Sequence, residues 1–394
     1  MPRQETLVRI KPDVMKWIID SSGWETEQLT KKLNVSVETL ENWKKKNVGI
    51  EIKKLEKLSE YVKRPLAIFF LNTPPTESEL TDYRKLPKDE TIKLTRTTIT
   101  TIRNARYLQS VAKELLKIQG IDPEPKINTK ITLETSPEES ANSERKRLGF
   151  ESENILLSNE AKKSVRDFYN VLRKQIESLN IFVFQGSMSI REVRGLTLSE
   201  KFPRVIVINS KDTVEAKIFS LLHEYGHVLL RKDGMCIPQA FFDQDDDDII
   251  QVVETWCNRF AAAVLMPKNE FLDEYEKLEK KEENIKKIVN SLSSKFRTSK
   301  QATIIRIKTL TQNDSLSYEY RRILDELKNE PTKSNKKKTK GGPSAIDTCV
   351  SQKGRKFVSL VIESKRNKNI NNSDVIDYLN LNLRHMKKLQ EKIS

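Results

Sequence analysis

Apolar residues recur along this chain mostly at helical spacing, interrupted by a few short continuous apolar runs. Residues 11–72 read as five short helices. Pro12 opens the first, with Val14, Trp17 and Ile18 as its apolar stripe. A second covers 26–33, and Asn34-Val35-Ser36 forms a tight turn in which Ser36 is the N-cap of a third, 37–45, with Leu40 and Trp43 facing in. The fourth, 51–62, is patterned on Ile52, Leu55 and Leu58, and Pro65 opens a fifth over 66–71. A polar connector with Pro74-Pro75 follows, then a long helix over 95–118 and a Pro-rich, turn-like stretch over 119–135.

Beyond 140 the pattern changes. Helices are predicted around 140–148 and 159–179. The runs 181–184 and 204–208 are apolar and β-branched, so they read as buried strands, with 195–198 between them as a third. Two strongly apolar helical runs, 219–230 and 252–266, come next, and Pro267 closes the second. A helix pair over 285–296 and 300–310 is joined by Arg297-Thr298-Ser299, and another helix is predicted near 317–329. The stretch 331–343 is rich in Lys, Ser and Gly and reads as a flexible basic linker before a small helical segment, 344–394.

Composition narrows the class. The 394 residues are enough for several domains, each able to bury a core. With 37% hydrophobic and 32% charged residues, no apolar run of membrane length and no apolar signal segment, the expectation is a cytoplasmic protein with no membrane contact. Cys236, Cys257 and Cys349 show no paired spacing, so neither a disulfide framework nor a cysteine metal site is expected, and Cys257 reads as a buried, inert thiol. The net charge is +15, of which +10 lies in 331–394, where 15 Lys and Arg face 5 Asp and Glu. A polyanion such as DNA would be drawn to that tail, although charge runs of this kind also serve simply as solvated faces. There is no phosphate-binding Walker loop, no dinucleotide fingerprint and no internal repeat.

The chemistry concentrates in one place. Within 219–230 the chain reads His223-Glu224-Tyr225-Gly226-His227, and these are two of its only three His. Two His four residues apart lie about one helical turn apart on one face, so both imidazoles can reach one ion. Zn²⁺ takes neutral imidazole, and a catalytic site supplies three protein ligands and leaves a place for water. Glu224 can then take that water's proton and hand it to a leaving amine. For the third ligand the following apolar helix offers Glu254, a carboxylate too costly to bury without a partner. Asn258, one turn on, is placed to support a ligand by hydrogen bonding. His385, near the C-terminus, is not assigned to this site. The acidic run 243–248 lacks the turn glycine of a calcium loop, and it reads as favouring the N-terminus of the Glu254 helix.

His223-Glu224-x-x-His227 and Glu254-x-x-x-Asn258-Arg259-Phe260-Ala261-Ala262, with Leu265-Met266-Pro267 behind them, resemble the ImmA/IrrE family of zinc metallopeptidases. The resemblance implies one Zn²⁺ per chain held by His223, His227 and Glu254, with Glu224 catalytic. Tyr225 departs from the Leu or Ile more common there. The pattern Gln28-Leu29-x-Lys31-Lys32-Leu33-Asn34-Val35-Ser36-x-x-Thr39-Leu40-x-x-Trp43 resembles a Cro/cI-type (Xre) helix-turn-helix. Its base-reading positions would fall on Val37, Glu38, Glu41 and Asn42, followed by Lys44, Lys45 and Lys46 as backbone contacts. Two of the four are acidic and none is basic, so DNA binding stands beside protein docking or homodimer formation as the role of this module.

The implied fold class is α+β, mostly α. It comprises a helix-turn-helix bundle (1–72), a connector with a long helix (73–139), a zincin-like metallopeptidase domain with a small sheet (140–330) that includes a second helix-turn-helix-like segment near 285–310, a basic linker (331–343) and a C-terminal helical module (344–394). The implied function is zinc-dependent cleavage of a protein, a helix-turn-helix repressor, in a stress, mobile-element or toxin–antitoxin response. The alternative is a DNA-binding transcription regulator whose zincin domain senses a ligand and cuts nothing.

Overall fold

The computed structural model describes residues 7–62, 64, 66–74, 94–150, 164–199, 201–232, 234–236, 249–282, 284–311 and 342–393. The segment 75–93 of the connector, the acidic run 243–248, the helix expected near 317–329 and the basic linker as far as 341 lie outside the described residues. Among those described, the protein is mostly helical with two small sheets, and no helix is long and apolar enough to cross a membrane. The chain divides into two compact units, residues 1–104 and 105–394.

In the first unit β1 (Leu7–Arg9) precedes α1 (Pro12–Asp20), α2 (Thr26–Leu33) and α3 (Val37–Lys45). Then come β2 (Gly49–Glu51), α4 (Ile52–Val62) and a 3₁₀ turn, Leu66–Phe70. Asn34 turns the chain between α2 and α3 in the left-handed conformation, and Ser36 caps α3 by accepting from the Thr39 N–H at 3.0 Å. Val14, Ile18, Leu29, Leu40, Leu55, Leu58 and Phe69 fill the core. The antiparallel ribbon of β1 with β2 has no counterpart in the helices expected from periodicity.

The second unit takes up the rest of α5 (Arg96–Ile118), then α6 (Pro137–Arg147) and α7 (Val165–Ser178). Strands β3 (Phe182–Gly186), β4 (Gly195–Leu198) and β5 (Val205–Asn209) follow, as continuous apolar runs buried on both faces would dictate. After α8 (Val214–Leu230) the chain adds β6 (Gly234–Cys236). The sheet order is β3-β5-β4-β6. Its β3–β5 pair is parallel, and β4 runs antiparallel to both neighbours. Next come α9 (Ile249–Leu265), α10 (Lys268–Glu279), α11 (Ile285–Phe296) and α12 (Lys300–Thr311). The last two pack Ile285, Ile288, Leu292, Ile304 and Ile307 into the main core. Arg306 binds Glu138 with both guanidinium nitrogens and reaches the Met266 carbonyl, satisfying an orphan acceptor past the end of α9.

Residues 119–135 are irregular but tethered. Asn180 donates to the carbonyls of Asp122 and Glu124 at 2.7 and 2.8 Å, and Ile131 is buried in the core. The C-terminal helices α13 (Ala345–Lys353), α14 (Arg355–Arg366), α15 (Asn372–Leu379) and α16 (Met386–Ile393) sit against the β3 side of the same unit. Phe357 is fully buried and meets Phe182 and Phe184 edge-on, with ring centroids 6.3 and 5.6 Å apart. The buried Arg173 ties the junction by donating to the carbonyls of Ser351 and Val183. Phe357→Ala should therefore cost about 3–5 kcal/mol of unfolding free energy, measured by denaturant titration. A change below 1 kcal/mol would mean that this face is not a true core.

Candidate metal centre

Helix α8 is started by Thr213, whose hydroxyl accepts from the Ala216 N–H, and it is buried on nearly every side from Ile218 to Leu230. A helix apolar all round belongs inside a core, and α8 is covered by α9, α7 and the sheet. Polar groups there need a reason. His223 and Glu224 are completely buried, His227 is 1% exposed and Glu254 8%.

Close approach of α8 and α9 brings these groups together. Gly226 faces Cys257, and a Cβ at 226 would lie 3.1 Å from the sulfur and 3.4 Å from Cα of Cys257, a tight contact that glycine avoids. At that spacing Glu254 on α9 reaches both imidazoles. Its Oε2 lies 3.1 Å from His223 Nε2, its Oε1 lies 3.2 Å from His227 Nε2, and the two Nε2 atoms are 3.2 Å apart. Three ligands at about 2.0–2.2 Å from a tetrahedral ion would stand about 3.3–3.5 Å from one another. The observed triangle is only slightly tighter than that face.

Protonation supports the same fit. Asn258 Oδ1 lies 2.8 Å from His223 Nδ1; an amide oxygen can only accept, so Nδ1 carries the proton and Nε2 presents its lone pair to the triangle. Oε2 of Glu254 is buried without a hydrogen-bond partner, as expected of an atom aimed at an ion. Burial pushes the Glu224 carboxyl above its usual range, against the lowering effect of the two imidazoles and the Thr197 hydroxyl. Among the described residues His223, His227 and Glu254 form the group able to hold a metal ion. Asn258→Ala should weaken metal binding by about 10–100-fold, measured by competition against a chromophoric chelator. Unchanged affinity would mean that the Asn258 contact does not set the tautomer.

Neighbouring residues take other parts. Tyr225 points to α6, where its hydroxyl donates to the buried Glu144 at 2.6 Å, which is a structural use for the aromatic residue between the two His. Cys257 forms no disulfide and is buried against His227, one of the three candidate ligands, and burial pushes its thiol up. Two participants carry little signal in the sequence. Gly234 of β6 lies so close to the His227 ring that a Cβ would run into it. Thr197 of β4 donates to Glu224 Oε2 at 2.6 Å.

The candidate DNA contacts all fall in the first unit. Lys44 bridges Asp20 at 3.0 Å and Glu41 at 3.2 Å, and Lys45 reaches Glu41 at 3.4 Å. Asn42 is half-buried, and Lys46 is exposed at the end of α3.

Residues 176–308 match the family model of the IrrE N-terminal-like domain, Peptidase_M78. This central region is thus similar to the IrrE-type metallopeptidases. Over 63 residues the chain is 43% identical to the radiation response metalloprotease IrrE of Deinococcus deserti, covering 16% of this chain and 22% of that protein. It is 41% identical over 63 residues to the protein of the same name from Deinococcus radiodurans, covering 16% and 19%. The chain thus spans about a fifth of the length of these relatives, and the family implies a metal at the triangle just described.

Proposed function

We propose that this protein is a zinc-dependent endopeptidase that cleaves another protein, a helix-turn-helix repressor, as part of a stress, mobile-element or toxin–antitoxin response. The observation that carries the reading is the buried triangle of His223, His227 and Glu254 with a fourth group, Glu224, beside it that is not a ligand. A site that only bound a metal or sensed a ligand would have no need of a buried carboxyl next to the ligands. The names of the Deinococcus relatives, radiation response metalloproteases, support the stress setting.

In this reading His223, His227 and Glu254 would hold the ion. Zinc, when bound, polarises a carbonyl and lowers the pKa of a water to about 7. Glu224 would take the proton of the attacking water and pass it to the leaving amine. Asn258 keeps His223 in the ligating tautomer. For the first unit, the ion pairs of Glu41 with Lys44 and Lys45 favour docking of a protein over a grip on phosphates, because two of the three basic side chains are already engaged.

Incubation with zinc and small helix-turn-helix proteins encoded beside this chain tests the proposal. The expected result is discrete fragments of one of them by mass spectrometry, abolished by a chelator and by Glu224→Gln. Fragments that persist with both controls, or intact proteins throughout, would overturn it.

A further inference from the structure

Glu224 is held from outside its own helix. Thr197, fully buried in β4, places its hydroxyl 2.6 Å from Glu224 Oε2 and 3.0 Å from the main-chain oxygen of the same residue. The other carboxyl oxygen, Oε1, is buried and makes no hydrogen bond. It lies over Gly195, two residues back on the same strand, where a Cβ would stand 2.7 Å away. Strand β4 therefore clamps one oxygen and leaves room at the other. Register places Thr197 opposite Gly234 of β6, the residue packed on the His227 ring, so the same two strands seat both the carboxyl and a metal ligand.

We infer that Thr197 is a positioning residue for Glu224: its hydroxyl fixes the carboxyl through Oε2 so that Oε1 is the oxygen that receives the proton. The inference rests on the peptidase reading. A glutamate side chain has several rotatable bonds, and reaction geometry tolerates little displacement of the accepting atom. A hydroxyl donated from a neighbouring strand removes that freedom without adding a charge beside the ligands. The opposing explanation is that Thr197 only fills space, and the two differ in which part of the side chain matters. Thr197→Val keeps the shape and removes the donor, whereas Thr197→Ser keeps the donor and removes a methyl group.

Acetohydroxamate is a probe that needs no known substrate, because it binds a metal through two oxygens and yields a proton to an adjacent base. Its affinity for the cobalt-loaded protein can be read from visible absorption, alongside metal content and melting temperature. Glu224→Gln should weaken binding most. Thr197→Val should weaken it about 10-fold with full metal content, the loss expected for a hydrogen bond to a charged group. Thr197→Ser should stay within about twofold of the parent protein, even if its melting temperature falls further than that of Thr197→Val. Thr197→Val binding like the parent, or Thr197→Ser binding more weakly than Thr197→Val, would overturn the positioning role. Equal affinities of the parent and Glu224→Gln would instead remove the base role of Glu224, which is a failure of the underlying reading.

Discussion

Glu224→Gln is expected to keep its fold and its zinc and to lose about 10²–10⁴-fold or more in cleavage rate, the range by which a positioned base accelerates such a step. The substitution is nearly isosteric, which matters in a pocket where both Glu224 and Thr197 are fully buried. The Thr197 hydroxyl can donate to the amide oxygen as it does to the carboxyl, so the strand contact survives. Glu224 is not one of the three groups that could hold a metal ion, so the triangle of His223, His227 and Glu254 is untouched. What disappears is the capacity to accept a proton. Zinc content by metal analysis and cleavage of the partner protein are measured on one preparation. Undiminished cleavage at full zinc occupancy would falsify the base role.

The candidate centre was legible because its chemistry is local. His223, Glu224 and His227 share one helix, and a period of 3.6 residues is enough to place both imidazoles on one face. Glu254 was legible for a different reason, as a charge that an apolar helix cannot bury alone. Thr197 was not. In Gly195-Leu196-Thr197-Leu198 it is one more strand residue, and its role depends on which face of β4 meets α8, 27 residues away. The same applies to β6, three residues with no alternation, paired only because β4 offers an edge beside the end of α8. The ribbon of β1 and β2 is equally short, and its partners stand about forty residues apart.

Packing of the chain's polar stretches was also hidden. Residues 119–135 look like a linker because of their prolines, yet Asn180, itself in a left-handed turn, ties two of their carbonyls and Ile131 enters the core. The charge of the last segment drew attention to its surface, whereas the apolar side of α14 carries the contact that matters, Phe357 against Phe182 and Phe184. A pattern of apolar positions says that a helix has a buried face and does not say what it is buried against.

Glu254→Ala should act on the metal itself. The substitution removes both oxygens that face the imidazoles and leaves two nitrogens 3.2 Å apart with no anionic partner. Losing a group that merely orients a ligand costs about 10–100-fold in metal affinity, so losing a ligand should cost at least ~100-fold. The effect also appears in stability, because an ion that binds only the folded chain stabilises it by mass action. At a zinc concentration about 1,000 times the dissociation constant that gain is about 4 kcal/mol, and a 100-fold weaker site would retain only about 1.4 kcal/mol. The rise in melting temperature on adding zinc should shrink accordingly, and cleavage should vanish with the metal. Glu254→Gln separates charge from shape: it keeps one oxygen near the imidazoles but is neutral, and it should fall between the parent protein and Glu254→Ala in zinc affinity. Glu224→Gln, by contrast, should show the full zinc-dependent rise. If Glu254→Ala retained the zinc content and the zinc-dependent melting shift of the parent, the third ligand would have to lie elsewhere in the chain.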